Sequence, residues 1–198
     1  MYDVEKALED RRSIRRFSNV AVPYNKLLRI VELGRLYPSP CNCQPLKFAI
    51  ITQEQQRKLV FSKLKWAMCL KDYRVRECDQ PKAYILLLGD KRITSHFELC
   101  EGAAIVTMQL AALAQGLATC CLGVQQNKLL CQELEINESF FELLCVIAVG
   151  IGAQKGTTVA LNDGETAYKL DETGNIIVPK RTVADVLIKG AQEISEYT

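Results

Sequence analysis

Residues 11–16, Arg11-Arg12-Ser13-Ile14-Arg15-Arg16, crowd guanidiniums and a hydroxyl into a few positions. Arg11, Arg12 and Ser13 within one turn can grip a phosphate through charge-assisted hydrogen bonds, because the guanidinium fork matches phosphate oxygens. The plain alternative is a solvated helix end, since short charge runs are common on surfaces. A second stretch, Pro38-Ser39-Pro40-Cys41-Asn42-Cys43-Gln44-Pro45, fixes its backbone with three prolines and offers the hydroxyl of Ser39 and the amides of Asn42 and Gln44 to a polar ring edge. Its alternative is an ordinary turn. An anionic grip and an amide-bearing loop together point to a phosphorylated heteroaromatic ligand, without saying which.

Other chemistries find less support. The nine cysteines are an odd number scattered through apolar segments, which reads as free thiols in a reducing compartment and not as a disulfide framework. Neither Cys41-x-Cys43 nor Cys120-Cys121 has the two-residue gap usual in zinc or thioredoxin sites, so no metal is expected. Cys69, Cys100, Cys131 and Cys145 read as small buried hydrophobes. His96 is the single histidine and has no nucleophile elbow to serve. Gly150-Ile151-Gly152 follows an apolar run but lacks the third glycine and the helix of a dinucleotide fingerprint.

Composition sets the frame. At 198 residues and 48% hydrophobic, the chain suits one domain with a sizeable core, expected over 1–198 with 182–198 as a C-terminal helix or arm. Its 25 Lys+Arg against 23 Asp+Glu contain no run of five like charges, which argues against a nucleic-acid partner. No apolar stretch nears the ~20 residues needed to span a bilayer, and Met1 to Lys6 lack a secretory core, so a cytoplasmic protein is expected.

The elements that must position these residues follow from periodicity. Helices are expected over 4–12, over 24–37 after Pro23 with Leu27, Leu28, Ile30, Val31 and Leu33 on the buried side, over 53–68, 128–134 and 183–194, and a long apolar one from Phe97 to Gln115. Strands are expected over 48–52, 83–88, 119–124 and 144–151. Thr157 to Pro179 is polar and turn-rich, which reads as a loop or small hairpin. The sum is an α+β or α/β sandwich with helices around one sheet.

Several of these motifs, taken in order, resemble one family. Arg11-Arg12-Ser13-Ile14-Arg15-Arg16-Phe17 resembles the opening motif of the nitroreductase family, and Pro38 to Phe48 resembles its Pro-Ser-x-x-Asn-x-Gln-Pro-x-x-Phe loop. Glu101-Gly102-Ala103-Ala104 and Gly116 to Gly123 look like its long dimer helix and flavin-facing strand, and Pro179-Lys180-Arg181-Thr182-Val183 like its C-terminal basic motif. The resemblance implies an α+β sandwich with a central mixed sheet surrounded by helices, an intertwined homodimer, and FMN held at the subunit interface.

By the same resemblance, Arg11, Arg12 and Ser13 meet the FMN phosphate and ribityl chain, with Lys180 and, less firmly matched, Arg181 returning to the phosphate. Arg15 and Asn42 meet the pyrimidine edge, Gln44 belongs to the same loop, and Pro38 and Ser39 line the ring from the partner subunit. Cys121, Leu122 and Gly123 present backbone near the reactive nitrogen. The implied activity is ping-pong electron transfer from NADH or NADPH to a small electron-poor acceptor, with no protein acid or nucleophile required. Dehalogenation, enone reduction or flavin fragmentation on the same fold, or FMN binding without turnover, are the alternatives. The chain departs from the family loop at Pro40-Cys41 and Cys43, and the short 89–95 connection leaves little cover for a substrate.

Overall fold

The computed structural model describes residues 3–125, 127–162 and 164–188. The fold is built on β2 (Ala83–Asp90), every residue of which is buried. A strand apolar on both faces must be covered on both, and it is. Ala83, Ile85 and Leu87 join one core, while Tyr84, Leu86 and Leu88 join the other. Burying such aliphatic side chains contributes roughly 1.5–3 kcal/mol each.

On one side β2 pairs with β1 (Leu46–Ile51), and on the other with β4 (Phe141–Gly150), which in turn pairs with β3 (Ala118–Leu122). The order is β1-β2-β4-β3, antiparallel throughout. One face is covered by α2 (Tyr24–Gly34) and α4 (Glu98–Leu113), through Leu27 and Ile30 of the first and Cys100, Ala104, Met108 and Ala112 of the second. A β-carbon at Gly34 would overlap the Met108 side chain, so this glycine lets the two helices approach. The other face is covered by α3 (Glu54–Ser62) and α5 (Asn127–Glu133), through Val60, Leu130 and Cys131. The short α1 (Val4–Asp10) precedes the basic segment.

The expected α+β composition is present: the four strands of the central sheet pair antiparallel, Ser13 adds a parallel bridge to Thr119 at its edge, and parallel and antiparallel pairs mix in a second sheet. The 157–179 stretch, expected as a loop or hairpin, forms β5 (Gly156–Ala160), β6 (Lys169–Leu170) and β7 (Ile176–Lys180), in the order β5-β7-β6. β5 and β7 run parallel, a pairing that leaves no hairpin signal. Pro179 is tolerated in the middle strand because β6 reaches only Ile176 and Ile177, so its missing N–H breaks no bond on that side.

Two further expectations change. The helix over 53–68 ends at Ser62, because residues beyond it extend to pair with the chain after β3: Leu64 bridges Val124, and the Gln125 N–H donates to the Lys63 carbonyl at 3.1 Å. Leu28, expected inside, is 44% exposed, since α2 turns the Leu27, Ile30 and Gly34 row toward α4. Within one chain the long helix is buried on one side, and Leu99 and Val106 on the other are 71% and 45% exposed. Of the last expected helix, α6 (Val183–Val186) is observed, and residues 189–194 lie outside the described residues.

Candidate functional site

The basic segment is an extended strand, not the helix end and turn its composition suggested. α1 stops at Arg11, whose backbone is already extended (φ −62°, ψ 119°). The Ile14 N–H then donates to the Thr119 carbonyl of β3 at 2.9 Å, Phe17 N–H to the Asp79 carbonyl at 2.9 Å, and Ser18 N–H to the Ile151 carbonyl at 2.8 Å. Arg16 accepts from the Ala153 N–H at 2.8 Å, and the Arg15 N–H donates to Gln154 Oε1 at 3.2 Å. Ile14 and Phe17 are buried and anchor the strand in the core. The arginines between them are thereby held at fixed points along the sheet edge.

Their head groups are only partly satisfied. Arg11 Nη1 donates weakly to Gln109 Oε1 of α4 at 3.4 Å. Arg12 donates to the Arg11 carbonyl and, through Nη2, to Thr158 Oγ1 of β5 at 3.2 Å. Burial, then the neighbouring Arg11 charge, lowers the Arg12 pKa from its ordinary value. The Arg15 guanidinium donates to the Ser13 carbonyl at 3.2 Å and lies over the Tyr168 ring, 4.3 Å from its centroid. Yet Nε of both Arg12 and Arg15 is buried without a hydrogen-bond partner. Leaving such a donor unpaired costs ~1–3 kcal/mol, so an anionic or carbonyl-bearing ligand gains what the protein alone does not supply. A cleft of about 250 Å³ opens here, bounded by Arg11, Arg12, Gln109, Thr119 and Gly152.

Lys180 comes to the same corner. Arg12 bonds to Thr158, which pairs with Val178 on β7, and Lys180 stands two residues further along that strand. Arg181 is exposed just beyond, before Thr182 caps α6 in a reciprocal pair with Asp185. Ser13 bridges Thr119, two residues before Cys121; Cys121 and Leu122 end β3 and Gly123 follows, exposed.

The other loop is elsewhere. Pro38, Ser39, Asn42 and Gln44 lie ahead of β1, at the opposite edge of the sheet, so the described chain does not bring them to the arginines. The Gln44 N–H donates to Ser39 Oγ at 3.1 Å, and its amide to the Asn42 carbonyl at 3.3 Å. Cys41, Asn42 and Gln44 all take positive φ, at 49°, 53° and 47°. Left-handed backbone at non-glycine residues costs ~1–2 kcal/mol each, and strain of this kind concentrates at functional sites.

Two contributors gave no local signal. Asp79, 6% exposed, accepts from Arg76 at 2.7 and 3.2 Å and from Arg16 Nε at 3.2 Å, while its carbonyl holds Phe17. Gln154 ties Arg15 to the small sheet, donating to the Gly174 carbonyl at 2.6 Å. Cys100, Cys131 and Cys145 are buried as expected, but Cys69 is exposed, in the loop after α3; burial pushes the Cys120 thiol up to about 11.

Helices on both faces of an antiparallel sheet, with an arginine-bearing strand stitched to its last edge, define an α+β protein with a cationic rim. The chain belongs to the Nitroreductase family, whose model matches residues 8–151. It is similar in structure to a nitroreductase candidate from Desulfovibrio desulfuricans crystallised with FMN (24% identity, TM-score 0.75, 97% of this chain and 99% of that one). An FMN-dependent nitroreductase from Clostridium difficile is similar at 21% identity and TM-score 0.64, over 79% of this chain and 91% of that one. An iodotyrosine deiodinase bound to FMN and 3-iodo-L-tyrosine is similar at 16% identity and TM-score 0.65, over 81% and 96%. No curated protein matches the sequence.

Proposed function

We propose that this chain is an FMN-dependent oxidoreductase that works as a homodimer, taking electrons from NADH or NADPH and passing them to a small electron-poor acceptor such as a nitroaromatic or quinone. The observation that carries the reading is the pair of buried, unpaired Nε donors on Arg12 and Arg15, set along one strand beside Arg11. The donor set fits FMN at both ends: a phosphate bears close to two negative charges, and the pyrimidine edge presents carbonyl acceptors. When bound, FMN supplies the two-electron chemistry, with donor and acceptor taking turns at the same face.

The chain's own residues bind and orient. Arg11, Arg12, Ser13 and Lys180, with Arg181 behind them, hold the phosphate and ribityl chain, and Arg15 takes the pyrimidine edge. Cys121, Leu122 and Gly123 offer backbone beside the ring. Pro38, Ser39, Asn42 and Gln44 come from the second copy, which is why they stand apart from the arginines within one chain. The exposed Leu99 and Val106 on α4 give that second copy an apolar seat. No helix is long and apolar enough to cross a membrane among the described residues, and all nine cysteines are free, which suits the cytoplasm.

The test is a fluorescence titration of ligand-free protein with FMN, followed by anaerobic addition of NADH or NADPH. Bleaching of the visible flavin band is expected. A bound flavin that stays oxidised with both would reject nicotinamide as donor, and protein that binds no FMN would overturn the whole reading. A panel of nitroaromatics, quinones, enones and halophenols then separates nitroreduction from dehalogenation on the same fold.

A further inference from the structure

Two segments far apart in the chain meet over Arg15. Tyr168, just before β6, lays its ring under the Arg15 guanidinium at 4.3 Å, and its hydroxyl accepts the Cys69 N–H at 3.4 Å. Tyr73 comes from the same side as Cys69; its hydroxyl is buried without a partner, and Arg15 is the cation with the largest influence on it. Cys69, Leu70, Tyr73, Arg74 and Tyr168 border a cavity of about 510 Å³. Neither tyrosine belongs to a motif that the family resemblance uses, and neither has another evident task.

We propose that Tyr168 is a positioning residue for Arg15. It blankets one face of the guanidinium and fixes its plane, while Nε finds no partner in the protein. This rests on the reading that Arg15 meets the pyrimidine edge of FMN. A cation held at that edge and shielded from water on one side favours the negative charge the ring acquires on reduction, because it acts through a low local dielectric. Tyr168 therefore helps set the reduction potential through Arg15, without touching the reacting atoms.

A cation–π contact of this kind shifts an equilibrium by roughly 2- to 30-fold, depending on how dry it is. The expected result is that Tyr168→Leu binds oxidised FMN about as well as the parent but reduced FMN about tenfold more weakly, which lowers the two-electron midpoint by ~30 mV. Tyr168→Phe, which keeps the ring, should retain the parent potential. Dye-equilibration potentiometry reads the midpoint, and near-ultraviolet circular dichroism confirms that each variant is folded. Arg15→Gln should lower the potential by more, and adding Tyr168→Leu to it should change nothing further. An unchanged potential in Tyr168→Leu, an equal shift in Tyr168→Phe, or additive shifts in the double variant would each overturn the role given to the Tyr168 ring. Parent protein that binds no FMN, or Arg15→Gln with the parent's potential, would instead defeat the placement of Arg15 on the cofactor.

Discussion

Replacing Asp79 by Asn should loosen the strand that carries the arginines. The carboxylate is nearly buried and takes three charged hydrogen bonds, two from Arg76 and one from Arg16. The Arg76 side chain is largely exposed and will resolvate, whereas Arg16 is mostly covered, so only part of the pair's energy is at stake. A hydrogen bond to a charged group contributes ~1.5–3 kcal/mol, and with the exposed partner discounted the substitution should cost about 2 kcal/mol. For a chain of this length that is a fall in Tm of roughly 4–8 °C. Arg76, foremost, holds the Asp79 carboxyl below its ordinary pKa. The contribution is therefore complete above the unfolded value near 4 and drains away as pH falls through the lower folded value. Calorimetry at neutral pH and again at progressively lower pH should show the parent converging on Asp79→Asn only in acid. Equal Tm at pH 7, or a gap that stays constant down to pH 2, would refute the reasoning.

Arg11→Ala should weaken FMN binding about tenfold with the circular dichroism unchanged, and Arg11→Ala with Lys180→Ala should weaken it more, measured by fluorescence titration; unchanged affinity in the pair would reduce the basic cluster to a solvated surface. Val106→Glu should place a charge on the exposed stripe of α4 and yield monomers by light scattering, and a dimer of parent mass would move the interface elsewhere. Gly116→Ala should destabilise by ~1–2 kcal/mol in urea, because Gly116 turns the chain out of α4 at φ +73°, and no loss would mean that the turn re-forms differently.

What the sequence revealed followed from periodicity and composition. β2 was readable because a strand covered on both faces is an unbroken apolar run, and α4 because residues 102–115 run without proline or charge after the two glutamates of its first turn. Periodicity did not show the exposed side of α4, since Leu99 and Val106 are as apolar as Ala104 and Met108; only the resemblance of Glu101 to Ala104 to a dimer helix pointed to an interface there. The parallel pairing of β5 with β7 was hidden for a different reason, since its partners sit 20 positions apart with β6 between them. The arginine strand was found through its motif, but its supports were not. Asp79 lies 63 residues from Arg16, in a polar stretch without period, and Tyr168 reaches Arg15 only after the second sheet forms.

The layout of the two functional stretches has a thermodynamic consequence. Within one chain they flank opposite edges of the sheet, with β2, β4 and β3 between β1 and the arginine strand, a lateral separation of ~19 Å at ordinary strand spacing. If one ligand touches both, a twofold arrangement lets the loop of each copy meet the arginines of the other, giving two equal sites that neither copy completes alone. Binding and association are then coupled, and the coupling is reciprocal. FMN should tighten the dimer by the same factor by which dimerisation tightens FMN. Diluting parent protein through its dimer equilibrium should therefore release cofactor at a concentration that rises when Leu99 or Val106 is weakened, although neither residue lies near the arginines in sequence. FMN affinity that is independent of protein concentration, in a dimer shown to dissociate over the same range, would mean that each chain holds its ligand alone. The strained loop ahead of β1 would then need another explanation.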